Sequence, residues 1–141
     1  MSHYRFLFLL LLVVVGCGKN VKLGGKVAFS DGEPLSAGMI VFSNSGFLAR
    51  AYLKPDGTYD VGSFSEKDGL PPGKYKVYIT GAVKVAGKHK VTLTGEGGKT
   101  MEGEEDILES LIAGKYTSRD TTPLEIEVPG QNVYNITVER P

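Results

Sequence analysis

The chain has 141 residues, with 16 Lys+Arg against 16 Asp+Glu, so it carries no net charge at neutral pH. Nothing in that balance favours nucleic acid, which would call for a basic face. With a single cysteine and no tryptophan, the chain excludes an internal disulfide framework. Glycine and proline are plentiful, at 19 and 7, which predicts many turns and a β-rich chain.

The first element is a targeting segment. Arg5 precedes an unbroken apolar run from Phe6 to Val15, about ten residues, the length of a signal-peptide apolar region. A membrane-spanning helix needs about 20 apolar residues, and polar Gly18, Lys19 and Asn20 follow at once. Val14-Val15-Gly16-Cys17 resembles the bacterial lipobox. The resemblance implies cleavage between Gly16 and Cys17 and attachment of diacylglycerol to the Cys17 thiol. Stable anchoring takes two or more acyl chains, and the freed Cys17 amine is the second acceptor. A plain secretory signal, or a short single-pass anchor, would use the same run. The expected organisation is a signal peptide over 1–16, a lipidated tether over 17–22 and one domain over 23–141.

From Leu23 the residues alternate with the period of two that marks a half-buried strand. Leu23, Val27 and Phe29 share one side of the first strand, and Asp31-Gly32 turns the chain. Met39 to Ser43 follows with Ile40 and Phe42 inward, then Phe47 to Leu53 with Ala49, Ala51 and Leu53 inward. Pro55-Asp56-Gly57 is a turn: proline presets φ, aspartate bonds the backbone two residues on, and glycine takes positive φ. Tyr59 and Val61 open a fourth strand. After the stiff Gly69-Leu-Pro-Pro-Gly73 loop, Lys74 to Thr80 alternates most cleanly, with Tyr75, Val77 and Ile79 inward.

Lys90 to Thr94 reads as a further strand, and Gly95 to Gly103 as a mobile glycine-rich connection. Ile107, Leu108, Leu111 and Ile112 lie at helical spacing behind a run of acids, and acids suit a helix N-terminus. The pattern therefore predicts a short helix over 104–112. Thr121 to Val128 and Val133 to Glu139 close the chain as strands. Seven or eight short strands separated by turns predict a β-sandwich.

Gly25-Lys-Val27, Asp31-Gly-Glu-Pro-Leu35, Gly38-Met-Ile-Val-Phe42, Pro55-Asp-Gly-Thr-Tyr59 and Pro72-Gly-Lys-Tyr-Lys-Val77 occur in that order. Together they resemble the carboxypeptidase-regulatory-like, or transthyretin-like, domain of small bacterial lipoproteins. Ile112-Ala-Gly-Lys-Tyr116 and Thr122-Pro-Leu-Glu-Ile-Glu-Val128 resemble the end of such domains, although the usual proline of the former is Ala113 or Gly114 here. The resemblance implies an all-β, seven-stranded Greek-key sandwich of the transthyretin-like (prealbumin-like) kind, one that binds or spaces rather than catalyses.

Few groups in the sequence form a reactive constellation. Removal of the signal takes His3 with it and leaves His89, between Lys88 and Lys90, as a solvated strand residue. Too few histidines remain for a zinc site of the usual Cys/His type or for the hydrolases and iron dioxygenases on related sandwiches. Glu102, Glu104, Glu105, Asp106 and Glu109 form one dense acidic patch; oxygen ligands suit calcium, but the spacing is not that of an EF-hand loop. Lys22 or Lys26 with Asn132 or Asn135 would be the pair for an isopeptide bond between first and last strands, yet both lysines fall on the outward parity. No catalytic residue, metal or cofactor is assigned. The expected function is a non-enzymatic, lipid-anchored module of the cell envelope, held to membrane lipid through Cys17 and meeting an envelope protein or glycan. Gly18 and Lys19, rather than aspartate, after Cys17 imply the outer membrane. The alternative is a periplasmic small-ligand carrier or hydrolase using a cleft between loops.

Overall fold

The structure, a computed structural model, describes residues 19–62 and 68–141. Among these residues the chain forms nine strands and a single 3-10 turn. In order they are β1 (Gly24–Phe29), β2 (Met39–Ser43), β3 (Leu48–Tyr52), β4 (Thr58–Asp60) and β5 (Gly73–Thr80). Then come β6 (Val83–Thr94), β7 (Thr100–Ser110), the turn (Gly114–Tyr116), β8 (Glu125–Val128) and β9 (Ile136–Val138). The protein is all-β. Seven of the strands make two sheets, ordered β4-β1-β9 and β3-β2-β5-β8, and the other two pair only with each other as β6-β7.

Alternation in the sequence decides which side chains meet between the two sheets. Leu23, Val27 and Phe29 from the first strand region, Ile40 and Phe42 from β2, and Ala49 and Ala51 from β3 are buried together. Tyr59, Val61, Tyr75, Val77 and Ile79 join them, as do Ile126, Val128, Ile136 and Val138. Each of these residues occupies the inward parity expected from the pattern. Small Ala49 and Ala51 stand across from Phe42 and Ile40 in the β2–β3 register, so large and small side chains interleave as a close-packed interior requires.

β2 is also buried on its second face. Val41 is 3% exposed, with Arg50 directly opposite on one side and Tyr78 on the other. β1 is central in its sheet, antiparallel to β4 and parallel to β9. At Gly25 a Cβ would lie 2.1 Å from the Tyr134 carbonyl oxygen, so the close approach of these two segments requires glycine. Tyr59 reaches across the same seam and donates its hydroxyl hydrogen to that carbonyl at 2.5 Å.

Three expectations are revised. The residues over 104–112 are not helical: Thr100–Ser110 is strand β7. Glu104, Glu105, Asp106 and Glu109 face Lys90, His89, Lys88 and Lys84 of β6 across the ladder, partners 14 or more positions away that local helical spacing cannot register. The Gly95–Gly103 segment is not one long connection either. It is a tight turn over Gly95 to Lys99, closed by Gly95 N–H to Lys99 O at 2.9 Å, followed by the first residues of β7. Pairing also begins before Leu23, because Val21 and Leu70 exchange backbone hydrogen bonds at 2.7 and 2.9 Å.

Candidate functional site

β6 and β7 form a ribbon that is exposed along nearly its whole length. Val83, Val85, Val91, Thr92 and Thr94 favour extended backbone. Gly97 and Gly98 have φ of +86° and +74°, which lets the tip reverse within five residues. The antiparallel register sets Lys84 against Glu109, Lys88 against Asp106, His89 against Glu105 and Lys90 against Glu104. A bulge between Val85 and Gly87 shifts the register near the root and increases the local twist.

The two strands differ in charge. β6 carries Lys84, Lys88, His89 and Lys90, whereas β7 carries Glu102, Glu104, Glu105, Asp106 and Glu109. Lys84 and Glu109 approach to 3.3 Å, Lys88 and Glu104 to 3.8 Å, and His89 and Glu105 to 3.7 Å. All six side chains are more than half exposed, so each pair contributes little to stability and fixes register instead. The ribbon also concentrates exposed apolar surface. Val83, Val85, Leu93, Met101, Ile107 and Leu108 lie on it, against only Leu48, Tyr52 and Val133 among the other large exposed apolar residues described. Val91, Leu93, Met101 and Ile107 share one face by register, with Gly103 leaving a gap beside Val91 and Leu93.

Two open hollows lie among the described residues elsewhere on the surface. One, of about 490 Å³, lies at the ribbon root among Phe29, Glu33, Lys84, Glu109 and Arg140. Its arginine is engaged: the guanidinium sits 3.8 Å from the Phe29 ring centre and bonds Asp31, at 2.9 Å, and Glu33. A second, of similar volume, lies beside Lys22, Lys54, Asp60 and Asn132, and Lys54 there pairs with Asp60 at 3.0 Å.

Shifted ionisation follows structural contacts. Burial, reinforced by Tyr134, pushes the Tyr59 phenol far above its ordinary value. Burial also raises Tyr75, whose hydroxyl donates to the Pro71 carbonyl at 2.8 Å. The Lys115 ammonium, 2.8 Å away, holds the Glu139 carboxyl below the usual carboxylate range and is itself raised by that bond. This pair straps the 3-10 turn to the end of β9.

The residues singled out in the sequence are dispersed. Gly16 and Cys17 lie outside the described residues. His89 stands exposed on β6. The acidic patch does not converge, because Glu102, Glu104 and Asp106 point to one face of β7 and Glu105 and Glu109 to the other. Among the described residues no three His, Cys, Asp or Glu side chains gather as a metal site would require. Lys26 meets Asn135 through its backbone, donating its N–H to Oδ1 at 3.1 Å. No helix among the described residues is long and apolar enough to cross a membrane.

The surface feature that the sequence pattern concealed is the ribbon. Val83 and Val85 alternate with Lys84 ahead of Lys90, a strand signal interrupted by Ala86-Gly87 at the bulge. No protein-family model matches the chain, and no curated protein matches it. A solved structure, a 9R-lipoxygenase from Cyanothece PCC8801, aligns over 87% of this chain and 17% of its own length, at 11% identity and a TM-score of 0.33.

Proposed function

We propose that this protein is a lipid-anchored module of the cell envelope, attached through Cys17 and acting by binding or spacing rather than by catalysis. The module is read as a seven-stranded, transthyretin-like Greek-key sandwich from whose edge the β6-β7 ribbon extends. The seven strands of β4-β1-β9 and β3-β2-β5-β8 around one core support the sandwich reading. The observation that carries the function is the concentration of exposed apolar side chains on the ribbon. A solvated two-stranded ribbon is an extended surface for a macromolecule, where a small-molecule site is a concave pocket burying most of its ligand.

Two measurements test this reading. Cells labelled with radioactive palmitate are expected to label the full chain and not Cys17→Ala; continued labelling of Cys17→Ala refutes the anchor. A photo-crosslinking residue at Leu93 or Met101 is expected to capture a protein or glycan in intact envelopes, and the same residue at exposed Glu127 is not. Capture at Glu127 alone would place the binding surface elsewhere.

A further inference from the structure

We propose that the ribbon joins copies of this chain to one another. The outer edge of β7 in one molecule pairs antiparallel with the outer edge of β6 in the next, in the register that β6 and β7 already share within one molecule. This rests on the reading of the ribbon as the binding element and names its partner as a second copy.

The backbone supplies the first reason. β6 has 12 residues and β7 has 11, and among the described residues each pairs only with the other. Two long strand edges therefore present rows of unladdered N–H and C=O groups, which are templates for strand addition. A lone two-stranded ribbon is marginal in water, and a third strand is what usually makes such a ribbon stable.

Charge supplies the second reason and selects the partner. A pair of β6 edges would bring two lysine rows together, and a pair of β7 edges would bring two acidic rows together. Both are disfavoured by like-charge repulsion across strands. Pairing of β6 with β7 of another copy sets Lys88 opposite Asp106, His89 opposite Glu105 and Lys90 opposite Glu104, as the internal ladder does. The same register sets Leu93 opposite Met101. A strand residue has cross-strand neighbours on both sides, so Lys88 and Lys90 would each stand between two acids. Lysines on an edge ordinarily block strand addition; here they block the like-charged pairings and leave the complementary one open.

Backbone geometry permits this register. In an antiparallel ladder a residue that directs its hydrogen bonds to one neighbour forms a non-hydrogen-bonded pair with the other. Residues paired within the molecule therefore meet across the new seam with only the pair type exchanged. The bulge between Val85 and Gly87 limits the seam to the outer part of the ribbon, from Gly87 to the tip. The contact is head-to-tail, so each added copy offers the same two free edges and growth remains open unless rotation closes it into a ring.

Sedimentation velocity of the full chain in detergent tests the proposal. Weight-average mass is expected to rise at least about twofold with concentration at low ionic strength, and to fall back as salt screens the seam. Two charge-reversed variants sharpen the result: Lys84→Glu/Lys88→Glu/Lys90→Glu, and Glu104→Lys/Glu105→Lys/Asp106→Lys. Each alone is expected to stay monomeric, and their equimolar mixture is expected to assemble, because each supplies the edge that the other now complements. A wild-type protein that stays monomeric at every concentration overturns the proposal. So does assembly that persists in either variant alone, or a mixture that fails to assemble although circular dichroism shows that both variants keep the wild-type strand content. Monomeric protein whose ribbon still crosslinks to a different envelope component overturns self-association and leaves the binding role intact.

Discussion

Val41 in β2 and Leu93 in β6 are both aliphatic strand residues, yet one is 3% exposed and the other 58%. Val41 lies in a central strand, on the face turned away from the second sheet, with Arg50 and Tyr78 directly opposite it on the strands to either side. Leu93 lies in a strand with one neighbour and water on both faces. The two sheets are held by burial of apolar area, the dominant favourable contribution to folding. The ribbon is held by its ladder, its glycine turn and exposed charge pairs. The first region accounts for the fold, and the second for what the fold presents to its surroundings.

The sharpest break of this comparison is truncation on either side of it. Phe42→Ala should destabilise the protein by about 3–5 kcal/mol, because Phe42 is fully buried. Leu93→Ala should change stability by no more than about 0.5 kcal/mol. Denaturant midpoints at constant slope measure both. Equal losses would mean that the ribbon belongs to the cooperative core.

Gly57→Ala comes next. Gly57 has φ +79°, and a Cβ there would lie 2.5 Å from the Val27 carbonyl oxygen. That carbonyl belongs to β1, so the substitution strains the seam between turn and sheet at a cost of roughly 1–3 kcal/mol. At Gly97, where φ is +86° and no heavy atom lies within 4 Å, an alanine meets backbone strain alone and should cost less, confined to the ribbon tip.

Tyr59→Phe tests a polar link inside the core. It removes the hydrogen bond to the Tyr134 carbonyl and should cost about 1–3 kcal/mol if that acceptor is left unpaired. It should also alter the alkaline limb. The folded-state phenol is raised by burial, so the folded chain keeps a proton that the unfolded chain releases above pH ~10. Stability is therefore complete below that pH and falls as pH rises beyond it, and Tyr59→Phe should fall less steeply.

The smallest effect belongs to the Lys115–Glu139 strap, which is solvent-exposed. Glu139 is depressed in the folded state by Lys115, so its contribution is present above the ordinary carboxylate range. It is lost as pH falls through the depressed value. Lys115→Met should flatten that part of the acid limb and leave the midpoint near neutrality almost unchanged.

Much of the core was legible in the sequence because a period of two is local information. Tyr75, Val77 and Ile79 announce an inward face within seven residues, and Pro55-Asp-Gly57 announces its turn within three. The ribbon was not legible, because its cause is not local. Ile107 and Leu108 fit a helical spacing as well as they fit a strand, and only the lysines of β6 make the acids beside them an asset to a ladder. The Arg140 clamp on Phe29, Asp31 and Glu33 joins residues more than 100 positions apart, with no signal in either segment alone. Thr122 reads as an ordinary strand residue, yet it is buried and donates its hydroxyl to the Val77 carbonyl at 2.5 Å, joining the approach to β8 to the middle of β5.

The ribbon should behave as a separable element carried by an independent core. Val83 and Ser110 face each other at its root, and Ala82 still accepts the Leu111 N–H at 2.8 Å just below. Residues 84–109 can therefore be replaced by Asn-Gly, a dipeptide suited to a two-residue hairpin turn. The measurement is the denaturant midpoint of this shortened chain beside the full one. An unchanged midpoint, together with loss of concentration-dependent mass, is the predicted result. Unfolding of the shortened chain, or assembly that survives the deletion, would contradict it.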